Sequence, residues 1–269
     1  MLFKDKTIQE TFDRQGYAVI RFLDAGQVTA LLNLYRQTVA SDPMKDLYES
    51  SRANSLEKNV YINTEIRKVF ADPAEVSFMN AELFGGTFMV KVPRASSVLP
   101  LHQDWSIVEE DRHHSAFIWC ALCEVGPENG GLFVLPGSHA WFDNFRSGSM
   151  PSVRIQPQGE VKERLLDIRL SPGEAIVYSD RVFHGSYSNT TTEPRIVVTG
   201  RVNENGSRLV YYHRSGPDSV VLVKASPEFY LKEIDALAKG QLPPGYETLK
   251  TISYTYRPVT ATDLEARVC

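Results

Sequence analysis

The sequence lacks both long apolar runs and an excess of basic charge, the features that would connect it with membranes or nucleic acids. No run approaches the roughly 18 consecutive apolar residues that a spanning helix needs, and residues 1–6 lack the apolar core of a signal peptide. The 29 Lys and Arg residues against 33 Asp and Glu leave a net charge of -4, without a basic run suited to phosphates. We therefore expect no membrane insertion and no nucleic-acid partner, and we predict a cytoplasmic protein.

Cysteine is also scarce, with three residues in 269, and an odd number does not indicate a disulfide framework. Cys120 and Cys123 form a C-x-x-C pair, but residues 117–125 have the apolar content of a buried strand. Residues three apart on a strand face opposite sides, and no second pair completes a zinc site. We interpret both as core thiols in a reducing compartment.

The composition is that of an ordinary globular protein, with 42% hydrophobic and 23% charged residues. This length fits one β-rich domain. We predict a single domain over residues 1–269, with a helical N-terminal part at 1–86, a β core at about 87–215, and a C-terminal helix and tail at 216–269.

The N-terminal part shows helical periodicity. Asp24 is a candidate N-cap for an amphipathic helix over residues 25–40. Residues 41–60 are polar and indicate a loop or a mobile lid. Residues 61–84 indicate two short helices broken at Pro73 and ended by Gly85 and Gly86.

From residue 87 onward, short β-branched and aromatic segments alternate with turn signals. Strands are expected at 87–93, 116–125, 132–135 and 174–178, and segments 184–187 and 195–202 are expected to form a hairpin. A helix is expected at 227–240. This order favours a mainly β fold with flanking helices, built as a sandwich or as a double-stranded β-helix, the cupin-like jelly roll.

One motif carries metal chemistry. His102 and Asp104 are two residues apart at the end of an apolar segment, so in a strand they point to the same face and can offer an imidazole and a carboxylate to one metal. Such a pair also arises by chance as a partly exposed strand end, and it needs a third ligand.

A double-stranded β-helix brings distant strands together at one mouth, so His184 can supply that ligand. Two histidines and one carboxylate leave metal positions open, as in non-haem Fe(II) oxygenases. Arg195, eleven residues later, can take a carboxylate of a dicarboxylate cosubstrate in two parallel hydrogen bonds. Ser186, on the same face as His184, can add a hydroxyl.

Together these residues resemble the phytanoyl-CoA dioxygenase family of Fe(II)/2-oxoglutarate oxygenases. The resemblance covers most of residues 10–202 and rests on a set of short segments. They are His102-Gln103-Asp104, Glu128-Asn129-Gly130-Gly131, Leu135-Pro136-Gly137-Ser138-His139, and His184 with Ser186, Asn189 and Arg195.

The resemblance implies that His102, Asp104 and His184 are similar to the family's iron ligands and Arg195 to its partner for the distal carboxylate of 2-oxoglutarate. Ser186 and Trp119 are similar to secondary cosubstrate contacts, and Lys91 is a further match of that kind, although Trp119 also suits a core position. The cofactors implied are Fe(II), 2-oxoglutarate and O2.

The implied reaction hydroxylates an unactivated C–H bond of a small-molecule substrate and releases succinate and CO2. The scattered Lys and Arg residues favour a free metabolite over a coenzyme A thioester. A retained Asp104 argues for oxygen transfer rather than halogenation. Desaturation, ring formation and epimerisation stay open, because they depend on substrate pose.

Two other classes of protein are also compatible with the metal motif. One is a non-catalytic metal-binding jelly-roll protein, against which Arg195 argues. The other is a cupin-like isomerase or lyase, which needs the metal but not the spacing from His184 to Arg195. Anaerobic binding of Fe(II) and 2-oxoglutarate, followed by succinate release on admitting O2, separates these classes.

Overall fold

The computed structural model describes residues 1–94, 96 and 98–268; Cys269 lies outside the described residues. Within them the chain forms seven α-helices. Their bounds are α1 Lys6–Gln15, α2 Ala25–Thr38, α3 Ser50–Ala53, α4 Leu56–Ser77, α5 Gly159–Glu163, α6 Pro227–Ala238 and α7 Ala261–Val268. Asp24 caps α2 as predicted, in a capping box with Gln27.

The strands of the described chain begin with β1 Tyr17–Arg21, β2 Leu47–Glu49, β3 Ala81–Lys91, β4 Leu99–His102, β5 Ser115–Ala121, β6 Leu132–Val134 and β7 Leu166–Asp167. They continue with β8 Glu174–Ser179, β9 His184–Ser186, β10 Arg195–Glu204, β11 Val210–Gly216, β12 Ser219–Lys224 and β13 Thr248–Ser253.

Two antiparallel sheets form the jelly roll that the sequence predicts. One has the strand order β1-β8-β5-β10-β3-β2 and the other β4-β9-β6-β7. Side chains from both sheets meet in one apolar cluster, in which Trp119 and Val197 of the larger sheet join Leu132 and Val134 of the smaller. The interior of the fold therefore lies between these two sheets.

The helices α1, α2 and α4 cover the outer face of the larger sheet. Ile118 of β5 and Val198 of β10 pack with Ile66 and Phe70 of α4 in the main core cluster. Because strand side chains alternate, the neighbouring residues Trp119 and Val197 face the interior. Cys120 packs with the helices and Cys123 against the interior cluster, and both are free thiols, as expected.

The helix α4 corrects the prediction of two short helices broken at Pro73. It runs unbroken through the proline, and Gly85 and Gly86 lie inside β3. A proline costs about 3 kcal/mol in a helix interior. The apolar stripe of Ile66, Phe70 and Ala74 continues past it into the core, and this burial outweighs the lost hydrogen bond.

Residues 41–60 also differ from the predicted loop. They contain β2, α3 and the first turns of α4. The buried hydroxyl of Ser50 bonds to the hydroxyl of Thr87 at 2.8 Å and accepts the backbone N–H of Phe88 at 3.0 Å. Polar side chains therefore tie this segment to β3.

The predicted hairpin of segments 184–187 and 195–202 is wrong. β9 pairs with β4 and β6 in the smaller sheet, whereas β10 lies between β3 and β5 in the larger one. The two strands are adjacent in sequence but belong to opposite sheets, which suits a jelly roll.

The C-terminal residues, expected to form a helix and a tail, also contain β12, β13 and α7. With β11 the two strands form a separate sheet in the order β11-β12-β13. None of the helices in the described part of the chain has the length and apolar character needed to cross a bilayer.

Candidate metal centre

The three predicted metal ligands come together at the mouth of the jelly roll. One ligand atom each of His102, Asp104 and His184 lies within 4.8 Å of the others. Donors at right angles on one metal, each about 2.1 Å away, are about 3 Å apart. Small side-chain rotations would therefore suffice to bring the three donors onto one ion.

Backbone pairing sets this convergence. His102 at the end of β4 lies opposite His184 on β9, and their rings are 4.4 Å apart between centroids. Asp104 lies just beyond the strand, where its N–H donates to the Asp180 carbonyl at 3.0 Å. The amide of Gln103 donates to the Arg181 carbonyl at 2.5 Å, so residues 102–104 are held along residues 180–184.

The two imidazoles are oriented in the same way. Nδ1 of His102 is 2.8 Å from the Pro100 carbonyl, and Nδ1 of His184 is 3.1 Å from the Val182 carbonyl. A carbonyl requires a protonated Nδ1, so Nε2 keeps its lone pair for a metal. Burial and the neighbouring His184 lower the pKa of His102 to about 3, which keeps this imidazole neutral.

Arg201 joins Asp104 to a second buried carboxylate. Its Nη2 lies 3.5 Å from Asp104 Oδ2, and its Nη1 donates to Asp180. The guanidinium also lies over the ring of Phe117, 4.6 Å from its centroid. Ser115 donates to the other oxygen of Asp180 at 2.5 Å. This network holds the Asp104 carboxylate in place at the wall of the barrel.

Electrostatics keep Asp104 ionised. Burial raises the pKa of its carboxyl, but His184, Arg201 and His102 outweigh burial and hold that pKa below its usual value. Burial would lower the pKa of Arg201, yet Asp180 and Asp104 raise it. A carboxylate oxygen beside two imidazole nitrogens is a donor set that suits a divalent first-row metal. Asp104 Oδ2 accepts no hydrogen bond within the described part of the chain.

Arg195 lies in the interior, as its predicted role of binding a cosubstrate carboxylate requires. Its side chain is 2% exposed, its guanidinium carbon is 4.9 Å from the centroid of the Trp119 ring, and burial lowers its pKa to about 10. Among the described residues its Nε has no hydrogen-bond partner, and no carboxylate forms an ion pair with it. A buried cation of this kind fits an anionic ligand.

Ser186 and Lys91 complete this interior group. Lys91 is the cross-strand partner of Arg195, and its Nζ donates to Ser186 Oγ at 2.9 Å and to the Tyr187 carbonyl. Burial and then the charge of Arg195 lower the pKa of Lys91 to about 7. The Arg195 guanidinium and the Lys91 amine thus lie together in one buried region.

A cavity of about 1030 Å³ opens beside the candidate ligands and reaches Trp119, whose ring contacts the guanidinium of Arg195. Its lining includes the three candidate ligands, Trp119, and Arg201. Ligand cavities for drug-sized molecules are about 300 to 1,000 Å³. The space therefore holds a dicarboxylate and a sizeable second molecule.

The sequence prediction missed Arg201 and Asp180. A signal for Arg201 was present, because it lies six residues after Arg195 on one strand and alternation places both on the same face. Nothing local marks Asp180, whose role follows from its contacts with Arg201 and Ser115.

Arg201 yields a first testable prediction. Replacing it with lysine keeps the charge but loses the planar fork that spans Asp104 and Asp180, so we expect Co(II) affinity to fall by about 10- to 100-fold, the scale for losing a group that orients a ligand. Visible absorption of bound Co(II) measures this. The control is the exposed Arg21→Lys on β1; equal affinities in both variants would remove Arg201 from the metal-positioning network.

Comparison with known proteins gives a family match. The sequence model of the phytanoyl-CoA dioxygenase (PhyH) family matches residues 12–197. Two curated proteins, the phytanoyl-CoA dioxygenase domain-containing protein 1 homologs of Caenorhabditis briggsae and Caenorhabditis elegans, are each 23% identical over 159 and 154 residues. These matches cover 55% and 53% of this chain and 54% and 52% of the relatives, so the chain spans about half the length of both.

Solved structures share the fold. EvdO2 from Micromonospora carbonacea var. aurantiaca, complexed with 2-oxoglutarate, is 21% identical with a TM-score of 0.54, over 74% of this chain and 91% of that one. The epimerase SnoN, in complex with Fe3+, alpha ketoglutarate and nogalamycin RO, is 18% identical with a TM-score of 0.57, over 94% and 95%. At these identities the likeness establishes a common architecture.

Proposed function

The chain belongs to the phytanoyl-CoA dioxygenase family, and on this basis we propose that it is an Fe(II)- and 2-oxoglutarate-dependent oxygenase of a small organic metabolite. The overall change would be insertion of one oxygen atom of O2 into a C–H bond, with 2-oxoglutarate converted to succinate and CO2. The observation that carries the proposal is the convergence of His102, Asp104 and His184 beside a cavity whose wall includes Trp119, the residue that contacts the Arg195 guanidinium.

Three side chains would hold the iron. His102 and His184 each present Nε2, because Nδ1 is bonded to a backbone carbonyl, and Asp104 offers an ionised oxygen. Bound iron would supply the redox chemistry that couples oxidative decarboxylation of the cosubstrate to oxidation of the substrate. The share of these residues is to fix the donor set on one side and leave the cavity side open.

Arg195 would bind the distal carboxylate of 2-oxoglutarate. Its planar fork can form two parallel hydrogen bonds with a carboxylate, and the ring of Trp119 below it restricts the guanidinium plane. Ser186 and Lys91 lie on the same side and would contribute a hydroxyl and a second positive charge. Fixing the far end of the cosubstrate orients its keto acid end toward the candidate ligands.

Burial would protect the reaction from water. Trp119, Arg195 and Ser186 are each at most 2% exposed, so the surroundings of the Arg195 guanidinium are shielded from solvent. Tyr178, whose ring centroid is 4.6 Å from that of His184, closes the wall beside the ligands. A dry site keeps the charged contacts to the cosubstrate strong.

Anaerobic spectroscopy tests the proposal. We expect Fe(II) and 2-oxoglutarate together to produce a charge-transfer absorption band, and succinate to form when O2 is admitted. The variant His184→Ala should lose both signals, whereas the exposed His114→Ala should keep them. A wild-type protein that binds metal without the band and without succinate would be a metal-binding jelly-roll protein, and the proposal would fail.

Product analysis then assigns the reaction. Hydroxylation adds one oxygen atom to the substrate, desaturation or ring closure removes two hydrogen atoms, and epimerisation leaves the mass unchanged. We propose hydroxylation, because Asp104 provides the carboxylate ligand that oxygen transfer in this family would use.

A further inference from the structure

The outer part of the cavity has an apolar wall formed by α6. The residues Pro227, Tyr230, Leu231, Ile234 and Ala238 line the cavity, and their spacing of three and four residues places them on one face of the helix. The opposite face packs into the core through the buried Phe229 and Leu237. We call this cavity-facing set the α6 stripe; it lies outside the segment that matches the family.

Arg154 is held beside the candidate ligand His102. Leu101 and Ile155 exchange both backbone hydrogen bonds, each at 3.0 Å, and this antiparallel bridge places the next residues, His102 and Arg154, opposite each other. Leu101 and Ile155 are buried in the core. Alternation therefore turns His102 and Arg154 to the other side, where both line the cavity.

Arg154 differs from the other arginines of the cavity in its partners. Arg52 pairs with Glu49 at 3.9 Å and Asp235 at 3.8 Å, and Arg146 and Arg201 pair with carboxylates as well. Within the described chain, Arg154 Nε donates to the Ser152 hydroxyl at 3.2 Å. Burial raises the pKa of the nearby Glu49 carboxyl and the charge of Arg154 partly opposes this, but no carboxylate of the described residues forms an ion pair with Arg154, so its two terminal nitrogens are available.

The carboxylates at the cavity mouth are already paired. Glu49 and Asp235 both contact Arg52, and burial raises the pKa of Glu49. The whole lining holds five Lys and Arg side chains and the three carboxylates Glu49, Asp104 and Asp235. Arg52, Arg146 and Arg201 pair with carboxylates, so Lys45 and Arg154 are the lining cations left without an ion pair among the described residues. The outer cavity therefore favours an anion over a cation.

Resting on the proposed function, we propose that the substrate is an amphipathic organic anion. Its carboxylate or phosphate group binds Arg154, and its apolar body lies along the α6 stripe. Arg154 stands next to His102, so the anionic group would lie close to the metal and the reacting C–H bond near the polar end of the molecule. Arg154 is thereby a specificity residue for the substrate and not for the cosubstrate.

Matched naphthyl compounds test the anion site. Isothermal titration calorimetry would measure the dissociation constants of four compounds on enzyme loaded anaerobically with Fe(II) and saturating 2-oxoglutarate. They are naphthylacetate, naphthyl phosphate, uncharged naphthylacetamide and cationic naphthylethylamine. A charge-assisted hydrogen bond adds enough to make the acid bind roughly tenfold tighter than the amide. Either naphthylacetate or naphthyl phosphate binding tighter than the amide supports the proposal, and the stronger identifies the anion.

Variants separate the two contacts. Arg154→Gln should bind the acid and the amide with nearly equal affinity, and Arg154→Lys should retain part of the preference for the acid. The exposed Arg164→Gln at the end of α5 serves as the control and should leave the ratio unchanged. Ile234→Ala should weaken acid and amide by a similar factor, because it removes apolar contact alone.

Three results would overturn the proposal: equal binding of both anions and the amide by the wild type, a preference for the anion that persists in Arg154→Gln, or tightest binding of the amine. The same titration separates this inference from the proposed function. If the preference for the anion depends on Arg154 but Fe(II) and 2-oxoglutarate give no charge-transfer band, the anion site stands and the oxygenase proposal fails. If the band appears but the wild type shows no preference for the anion, the oxygenase proposal stands and the anion site fails.

Discussion

Replacing Asp104 with alanine should abolish succinate formation and weaken Fe(II) binding by more than roughly 100-fold. Loss of a group that merely orients a ligand costs about 10- to 100-fold in metal affinity, and Asp104 would itself be a ligand. It is also the one carboxylate in the cluster with His102 and His184, so its removal takes away the negative charge that offsets the charge of the metal.

The change has a second effect inside the protein. Arg201 loses one of its two carboxylate partners and keeps Asp180, so the guanidinium stays paired and the fold should survive. Circular dichroism and the midpoint of thermal unfolding check this. Because the Arg201–Asp180 pair is kept, a loss of activity in Asp104→Ala can be attributed to the missing carboxylate and not to unfolding.

Asp111→Ala is the matched control for this experiment. Asp111 lies seven residues further along the chain and is 74% exposed in its side chain, with Arg112 at 3.6 Å as its partner. The variant removes the same chemical group and should change neither iron affinity nor succinate yield. Wild-type turnover in Asp104→Ala would remove this residue from the ligand set.

Replacing Arg195 with methionine should weaken 2-oxoglutarate binding by about 2 to 5 kcal/mol, the scale for truncating one partner of a buried charge pair. This corresponds to roughly 30-fold to several thousand-fold in the dissociation constant. The charge-transfer band, titrated with 2-oxoglutarate, measures it. The 2-oxoglutarate affinity of Arg195→Lys should lie between those of the wild type and Arg195→Met, because a lysine keeps the charge but cannot bind a carboxylate through two parallel bonds.

The same variant should behave in the opposite way without cosubstrate. Arg195 is a buried cation whose Nε has no partner in the described structure, and a cation in such a place disfavours folding. Methionine is apolar and flexible, so the ligand-free variant should unfold at the same temperature as the wild type or above it. Addition of Fe(II) and 2-oxoglutarate should then stabilise the wild type far more than the variant.

This opposition distinguishes a binding role from a structural one. If Arg195 only supported the interior, its loss would lower the unfolding temperature with and without ligand. Arg21→Met on the exposed side of β1 is the control for the loss of an arginine. Wild-type cosubstrate affinity in Arg195→Met would assign the distal carboxylate to another cation, with Lys91 the next candidate.

Local sequence patterns predicted the helix α2 and its cap well, because Asp24 and Gln27 act through contacts three residues apart. They also predicted that Cys120 and Cys123 face opposite sides of the sheet, as their separate clusters confirm. The break at Pro73 was wrong because a local penalty was weighed without the core contacts of Phe70 and Ala74. Long-range burial, which a window of neighbouring residues does not contain, decided that case.

The predicted hairpin shows a different kind of error. Two strands joined by a short loop were predicted to pair with each other, yet β9 belongs to the smaller sheet and β10 to the larger. Arg195 nevertheless lies in the interior, because its position depends on β10 facing inward and not on pairing with His184. The prediction that Arg195 faces the interior therefore did not depend on the wrong prediction that its strand pairs with that of His184.

By itself the sequence determined the chemical identity of the site: an imidazole and a carboxylate two residues apart at His102 and Asp104, a later histidine, and an arginine suited to a carboxylate. These are properties of side chains and of short spacing. Only the tertiary structure decided that His102 lies opposite His184, that Arg201 holds Asp104, and that Arg154 and α6 face the same cavity. The reason is physical, because register between strands and the packing of α6 come from hydrogen bonds and burial between residues far apart in the chain.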